Sequence, residues 1–367
     1  MTTAPRQTAK ILYVASTASH LRRFHLPYIE ALRKEAEVML LASGDDSGFL
    51  DFNVPFEKNM LSTANLKTVF QIRKILKANR FDAVILHTSL AAFLVRAAMM
   101  GMRKRPYVHN VVHGYLFNEP LTSKKEHVLH FCERIMRKKT DTITVMNEHD
   151  LKIVNNNRFC KEESAFIYGM GVDMPMQIPT PDAALRAQYA KQNEMICTFV
   201  GELSNRKNQA FLIDAMKRIK EKELPVKLLL VGEGGERANL EEQIKQLGLS
   251  EVIFMLGNRE PVLPYLAITD LYVSASRIEG LPFNIMEAMA CGLPILASAT
   301  KGQTDLLDKT PEALYPEGDM EAFCNGVERI CRSGQYGVGT CEYPVLERYR
   351  LSAVFEENLA LLKKGWC

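Results

Sequence analysis

The feature that most constrains the fold of this chain is the alternation of short apolar runs with longer amphipathic segments along its length. The short runs are predicted strands, and the segments between them carry apolar residues at helical spacing. Strands that alternate with helices predict βαβ units and a parallel sheet. In the first half the predicted strands are Ile11–Ala15, Val38–Leu41, Ala83–Leu86, Tyr107–Val112 and Thr142–Met146, and the predicted helices are Phe24–Glu35, Leu66–Ala78, Leu90–Met100 and Glu126–Lys138.

The second half repeats the same alternation. Its predicted strands are Ile196–Val200, Val226–Val231, Val252–Leu256, Leu271–Ser274 and Ile295–Ala297, and its predicted helices are Gln209–Arg218, Arg237–Leu247, Pro261–Ala267, Phe283–Ala290, Glu321–Arg332 and Leu346–Lys363. Prolines cluster between Gly171 and Ala183, which predicts a first domain of residues 1–175 and a second of 176–344. Two doubly wound α/β sheets in tandem would face a central cleft, with ligands beyond the carboxyl ends of the strands.

Composition excludes several classes of protein. Hydrophobic residues make up 47% and charged residues 24% of the 367 residues, values typical of a globular enzyme and not of a disordered or collagen-like chain. The eight cysteines include no C-x-x-C pair, so we expect no zinc ribbon, and reduced thiols predict a cytoplasmic location. The first apolar run, Ile11–Ala15, is too short for the core of a signal peptide, so we expect none. The longest apolar stretch, Ala83 to Met102, is interrupted by His87 and Arg96, so we expect no membrane span.

The charge is unevenly distributed between the halves. Residues 1–173 hold 25 lysines and arginines against 17 acidic residues, and the remainder holds 21 against 26. The basic residues form clusters such as Arg103–Arg105 and Arg137–Lys139. A solvated surface would account for these clusters, and so would attraction to anionic lipid head groups or to a phosphate-linked substrate. Nucleic acid is disfavoured, because no binding motif is present.

The loop after Leu271–Ser274 carries the most informative pattern. Pro282 suits the first turn of the following helix, and Gly292 ends that helix. The amides of Leu281 and Phe283 are therefore expected to point out of a helix N-terminus, which favours anions. Glu279 precedes this helix, and its carboxylate would repel a phosphate. Its presence therefore suggests that it binds another group of the ligand, such as sugar hydroxyls. An acidic residue near a helix N-terminus that merely complements the helix dipole is the simpler alternative.

This region resembles the donor site of the retaining family 4 glycosyltransferases, which have the GT-B fold. The resemblance lies in the E-x7-E motif from Glu279 to Glu287, in Val200–Leu203 with Arg206–Asn208, in Val231–Gly234, in Phe254–Gly257 and in Gly169–Asp173. It implies that residues 345–367 form a C-terminal helix that packs back on the first domain. It also implies a nucleotide-sugar donor, with UDP the expected nucleotide, and no other cofactor.

The resemblance implies a role for each matching residue. Glu287 would hold the ribose hydroxyls, Glu279 would touch the donor sugar, and backbone groups near Gly257, Asn258 and Arg259 would contact the base. The diphosphate would lie against Lys207, with Arg206 as a further candidate. The remaining donor-binding candidates are Gly201, Gly280, Leu281, Pro282 and Phe283.

The first half resembles the subgroup that builds bacterial exopolysaccharide and capsule. The matching segments are His20–Leu21 with Phe24–Tyr28, Val112–Tyr115 and Thr140–Thr144. His113 resembles the family histidine that contacts the sugar, although a histidine bonded to nearby backbone would look the same. His20 and Tyr115 are candidates for the acceptor side, Tyr115 equally for the core. Two positions depart from the family: Ser19–His20 stands where paired glycines are usual, and Glu202 stands where arginine is usual.

The expected chemistry follows from charge. Breaking the anomeric C–O bond of a nucleotide-sugar places negative charge on the β-phosphate, and catalysis requires that this charge be stabilised in the transition state. Lys207, Arg206 and the amides after Gly280 are the candidate groups. No Asp-x-Asp motif occurs in the sequence, so we expect no metal on the diphosphate and a metal-independent transfer. The family resemblance implies that the transfer retains the anomeric configuration.

These observations predict a hexosyltransferase acting in cell-surface polysaccharide synthesis. Its acceptor would be a glycan or a polyprenyl-phosphate-linked sugar, and the basic first domain would hold it peripherally at the cytoplasmic face of the cell membrane. A sugar-nucleotide epimerase of the same fold and a non-catalytic nucleotide-sugar-binding protein are the alternatives. A dehydrogenase is disfavoured, because Gly232-x-Gly234 is followed by Arg237 where the third glycine of G-x-G-x-x-G belongs.

Overall fold

The computed structural model describes residues 8–44, 47–57, 62–172 and 178–366. Their contacts divide the chain into two compact units, Met1–Asp173 with Arg348–Cys367 and Met174–Glu347. The predicted boundary at residues 175 and 176 lies outside the described residues. We call the two parts unit 1 and unit 2.

Unit 1 begins with alternating strands and helices, as the apolar pattern predicts. They are β1 (Lys10–Thr17), α1 (Ala18–Phe24), α2 (Leu26–Arg33), β2 (Glu37–Ser43), β3 (Phe52–Asn53), α3 (Thr63–Asn79), β4 (Ala83–His87), α4 (Ser89–Ala98), β5 (Tyr107–Val112), α5 (Lys124–Met136) with a 3-10 turn at Arg137–Lys139, β6 (Thr142–Val145), α6 (Glu148–Asn157) and β7 (Glu163–Phe166). The strands form one sheet in the order β3-β2-β1-β4-β5-β6-β7, and neighbouring strands are parallel.

Unit 2 has the same kind of architecture. Its elements are α7 (Ala183–Ala187), β8 (Met195–Val200), α8 (Gln209–Glu221), β9 (Val226–Val231), α9 (Arg237–Gln246), β10 (Ile253–Gly257), α10 (Leu263–Ala267), β11 (Leu271–Ser274), α11 (Phe283–Ala290), β12 (Ile295–Ser298), α12 (Gln303–Leu306), β13 (Leu314–Tyr315) and α13 (Met320–Ser333), with 3-10 turns at Pro311–Ala313 and Pro344–Tyr349. The strand order is β10-β9-β8-β11-β12-β13, again with parallel pairings. Both units are doubly wound α/β sheets, as predicted.

The chain returns to unit 1 in its last helix, α14 (Leu351–Leu362). Asn358 on this helix is buried and donates from Nδ2 to the hydroxyl of Tyr28 at 3.0 Å and to the carbonyl of Gly169 at 2.8 Å. These bonds hold α14 against α2 and the chain just after β7. Among the described residues, no helix is both long enough and apolar enough to cross a membrane.

Two predicted helices are interrupted in the structure. The predicted helix Phe24–Glu35 is wrong as a single element, because α1 ends at Phe24 and α2 begins at Leu26 with Pro27 in its first turn. His20 lies inside α1. The predicted helix Leu346–Lys363 is also broken, since Arg350 is extended and forms a parallel bridge with Val172.

Candidate functional site

A buried carboxylate lies at the carboxyl end of the unit 2 sheet. Glu279, in the loop between β11 and α11, is 5% exposed. Its Oε1 accepts a hydrogen bond from Nζ of Lys207 at 2.6 Å, and its Oε2 accepts one from Nη1 of Arg206 at 3.1 Å. Both cations come from the loop after β8, which lies beside β11 in the sheet. Two cations therefore share one acid, and the group of three has a net charge of +1.

The loop after β8 is held in place by its own backbone. The carbonyl of Ser204 accepts from the amides of Lys207 and Asn208 at 3.0 Å each. The carbonyl of Arg206 accepts from the amide of Arg277 at 2.9 Å, and Nη1 of Arg206 also donates to the carbonyl of Ile278 at 3.1 Å. The two loops that carry the acid and the cations are thus joined through main chain as well as side chains.

Glycines allow the loops after β8, β9 and β10 to approach one another. A Cβ at Gly232 would lie 2.0 Å from the carbonyl oxygen of Gly201, and one at Gly234 would lie 2.2 Å from that of Leu203. The amide of Gly232 donates to the carbonyl of Gly257 at 2.8 Å. Gly232 and Gly234 are therefore explained by contact between two backbones. Close backbone contact therefore accounts for the Gly232-x-Gly234 pattern, which resembles the start of a dinucleotide-binding motif.

The N-terminus of α11 differs from the prediction in two details. Pro282 is the residue before the helix and not within its first turn. The amide of Phe283 donates to the carbonyl of Leu281 at 3.1 Å, so it is engaged in a local bond and does not simply point outward. Leu281 is buried, Glu287 is half-buried in the second turn of α11, and the loop at Gly280 is approached closely by Gly302.

The predicted base-contact segment follows β10. Gly257 ends the strand with a φ of 73°, and Asn258 and Arg259 are exposed directly after it. The Arg259 guanidinium lies 5.8 Å from the centre of the Tyr265 ring. These residues belong to unit 2, with Glu279, Lys207 and Glu287.

Four histidines meet at the carboxyl end of the unit 1 sheet. His20 lies inside α1, His25 directly follows it, His87 ends β4, and His113 follows β5. Because β1, β4 and β5 are neighbours in the sheet, these chain positions converge. The ring centres of His25 and His87 are 4.0 Å apart, and His20 lies 5.0 Å from both His25 and His113. Nδ1 of His87 is hydrogen-bonded to Nε2 of His113 at 3.1 Å.

Burial keeps these imidazoles neutral. It lowers the pKa of His20 to about 4 and, with the nearby His20, that of His113 to about 3. Burial likewise lowers the pKa values of His25 and His87 well below 6.5. His87 was not predicted from the sequence, although its place at a strand end beside that of His113 is the signal that could have found it.

The structure places Tyr115 in the core of unit 1. Its side chain is 3% exposed and stacks on Phe117 at 4.7 Å. This burial favours packing in the core, the alternative that the sequence leaves open beside an acceptor-side role for Tyr115. Its amide donates to Asp150 at 3.0 Å, which ties the loop after β5 to α6.

Two family models match the chain. Residues 13–161 match the Glycosyl transferase 4-like domain, and residues 182–337 match Glycosyl transferases group 1. Together these matches span most of the described residues of both units. The chain belongs to the glycosyltransferases.

Relatives of this glycosyltransferase are found in bacteria. EpsD of Bacillus subtilis (strain 168), named as a glycosyltransferase, is 27% identical over 334 residues, which cover 88% of this chain and 87% of EpsD. The UDP-Gal:alpha-D-GlcNAc-diphosphoundecaprenol alpha-1,3-galactosyltransferase of Escherichia coli is 26% identical over 328 residues, or 85% of this chain and 84% of that protein.

Solved structures identify the fold of the glycosyltransferase as GT-B. HepE of Anabaena, crystallised in complex with UDP and glucose, superposes with a TM-score of 0.74 at 19% identity and covers 97% of this chain and 99% of HepE. The apo form of the lipopolysaccharide outer core galactosyltransferase WaaB has a TM-score of 0.67 at 17% identity and covers 96% of this chain and 99% of WaaB. At these identities the likeness concerns the fold alone.

Proposed function

We propose that this glycosyltransferase moves a hexose from a UDP-sugar to a glycan or a polyprenyl-phosphate-linked sugar, with retention of the anomeric configuration. The observation that carries the proposal is the contact of Lys207 and Arg206 with the buried Glu279. Two cations at the carboxyl ends of parallel strands suit a diphosphate, and a carboxylate among them suits sugar hydroxyls.

In the proposed reaction the acceptor hydroxyl attacks the anomeric carbon from the face that the diphosphate leaves. The new C–O bond forms as the bond to the β-phosphate breaks, and the acceptor proton passes to a phosphate oxygen. Lys207 and Arg206 stabilise the charge that develops on the phosphate, which is where electrostatic stabilisation lowers a barrier. Glu279 orients the sugar, and Glu287 binds the ribose. We propose that neither a metal nor another cofactor is required.

Relatives support the proposed substrates. HepE has been crystallised with UDP and with UDP-glucose. The Escherichia coli relative is named for a UDP-Gal donor and an undecaprenyl-diphosphate-linked acceptor, and another relative, AmsD of Erwinia amylovora, is named for amylovoran biosynthesis. We therefore propose a role in building a cell-surface polysaccharide such as capsule or exopolysaccharide.

A face of unit 1 supports binding to an anionic membrane. On α5 the side chains of Val128, Phe131 and Ile135 lie on one side of the helix and are 45%, 59% and 42% exposed. On α3 Leu66 and Phe70 are 61% and 66% exposed, and α4 packs between these two helices. We call this the α3–α5 face. Exposed basic residues flank its apolar side chains: Lys67, Lys74, Lys77, Lys124, Lys125, Arg134, Arg137 and Lys138.

Apolar side chains ringed by basic ones are typical of surfaces that bind anionic lipid. A lipid-linked acceptor is presented at a membrane, so such a surface would bring the enzyme to its substrate. We propose that the protein works peripherally at the cytoplasmic face of the cell membrane.

The experiment that tests the proposed function is a panel of sugar nucleotides. We expect UDP and one UDP-sugar to raise the Tm of the purified protein more than GDP or CMP compounds do, because a ligand that binds only the folded state stabilises it. The Lys207→Ala variant should lose most of this shift, whereas Lys222→Ala, whose ion pair with Glu328 is exposed, should keep it.

Transfer itself is measured with the selected donor and a lipid-linked acceptor. We expect a product with the donor's anomeric configuration by NMR, formed at the same rate with and without a chelator. An altered sugar nucleotide formed from donor alone would indicate an epimerase instead. Loss of the rate on chelation, restored by a divalent cation, would contradict metal independence.

A further inference from the structure

The histidine cluster of unit 1 contains more ligand atoms than the proposed transfer uses. One ring nitrogen from each of His20, His25 and His113 lies within 4.8 Å of the other two. Among the residues that the structure describes, the buried Nε2 atoms of His20, His25 and His87 have no hydrogen-bond partner. An unpaired buried polar atom costs free energy, and His25 and His87 are fully buried. A ligand that binds these nitrogens would remove this free-energy cost.

Two hydrogen bonds fix the orientation of the His25 and His113 rings. Nδ1 of His25 lies 3.1 Å from the hydroxyl of Tyr13, and Nε2 of His113 lies 3.1 Å from Nδ1 of His87. Each bond occupies one nitrogen of a ring and leaves the other for a ligand. Bonds of this kind fix the orientation and the tautomer of histidines that bind metals.

We propose that His20, His25 and His113 bind one first-row transition-metal ion, with Zn²⁺ as the probe. Neutral imidazole is a favoured ligand of zinc, copper and nickel, and three histidines leave a fourth coordination position open. Two ligand nitrogens of one tetrahedral zinc lie about 3.4 Å apart, given Zn–N distances of about 2.0–2.1 Å. The three nitrogens lie within 4.8 Å of one another, so binding of the ion requires them to move closer together. The site lies wholly within unit 1.

Binding is measured by equilibrium dialysis of the full chain against Zn²⁺ near neutral pH, with thiols kept reduced. We expect one tightly bound ion per chain, and at least a tenfold weaker affinity in His20→Gln. The matched control is His127→Gln, because His127 is exposed on α5 and away from the cluster. It should bind as the wild type does. Tyr13→Phe removes the hydroxyl beside His25 and should weaken binding about tenfold.

Cobalt(II) distinguishes this site from a thiolate site, since seven described cysteines are free thiols. We expect visible d–d absorption without thiolate-to-cobalt charge transfer in the near ultraviolet. His20 is partly exposed, so the His20→Gln variant should fold, which circular dichroism checks. Equal affinity in wild type and His20→Gln, thiolate charge transfer, or no tight binding by the wild type would each overturn the proposal. Neither experiment involves turnover, so the outcome does not depend on the proposed function.

Discussion

The ammonium group of Lys207 lies 2.6 Å from Oε1 of Glu279, and both side chains are almost fully buried. An acid so placed neutralises the cation that the proposed mechanism assigns to the diphosphate. A donor diphosphate would therefore have to share Lys207 with Glu279, and Arg206 supplies the second cation that makes this sharing possible.

Replacement of Lys207 tests this arrangement. We expect Lys207→Ala to lower kcat/KM by about a hundredfold to a thousandfold, or about 3–4 kcal/mol, because a preorganised charge at the leaving group is lost. Steady-state kinetics measure the effect. Lys222→Ala removes an exposed Lys–Glu pair of 2.7 Å and should leave kcat/KM within about twofold. Similar losses in both variants would show that the role of Lys207 is not specific.

Replacement of Glu287 tests the ribose assignment. Glu287→Ala should weaken UDP binding at least about tenfold, the cost of losing a hydrogen bond to a charged group. Calorimetry with UDP and with 2′,3′-dideoxy-UDP makes the test specific. If Glu287 holds the ribose hydroxyls, the variant binds both compounds equally and the wild type prefers UDP. A preference that survives the substitution would rule out this role.

Two neighbouring glycines in the loop after β9 form a matched pair. A Cβ at Gly234 would meet the main chain of Leu203 at 2.2 Å, whereas one at Gly235 would have no atom within 4 Å. We expect Gly234→Ala to lower the free energy of unfolding by about 2 kcal/mol or more and to weaken UDP binding, because the loops must separate. Gly235→Ala should change unfolding by less than about 1 kcal/mol. Denaturant titrations measure both, and equal effects would contradict the close approach of the loops.

Buried His109 should make stability depend on pH. Burial, together with the charge of Lys364, lowers its pKa to about 4, and Glu163 opposes this shift. Since the unfolded chain binds a proton near 6.5 and the folded chain does not, stability is fully present above about pH 6.5 and falls as the pH drops toward 4. Between about pH 7 and about pH 5 this residue accounts for about 2 kcal/mol. In urea titrations His109→Gln should lose less stability over this range than the wild type, and an equal loss would contradict the assignment.

The α3–α5 face should determine membrane binding. Phe131→Ser removes an apolar side chain that is 59% exposed on α5, and its loss from the lipid interface should reduce binding to anionic vesicles about tenfold. Sedimentation with vesicles at low salt measures the bound fraction. The control is Leu263→Ser, since Leu263 is 45% exposed on unit 2. Binding that persists in Phe131→Ser, or equal binding to neutral vesicles, would argue against this surface.

Sequence periodicity predicted the central strands of both sheets and most of the helices that cover them, but not α6. The bounds of β5, β9, β11 and α11 agree with those predicted, because each is a short apolar run closed by turn residues or prolines. It missed β3, β7 and β13, which are edge strands of two to four residues. Such strands bury too little to leave an apolar pattern.

The sequence predicted which residues form the candidate site, but not which of them contact one another. The E-x7-E motif pointed to Glu279 and Glu287, but no local pattern shows that Lys207 and Arg206 both bind Glu279, since they are more than 70 positions away. For the same reason the convergence of His87 with His20 and His25 depends on strand order, which the sequence did not supply.

The return of α14 limits how the protein can be divided. A fragment ending at residue 173 lacks Asn358 and so leaves Tyr28 and the carbonyl of Gly169 without their donor. A fragment from 174 onward carries a helix whose partners are elsewhere. Expression of the first unit alone should therefore need residues 348–367 spliced to residue 173, whereas the second unit can be excised as one continuous stretch.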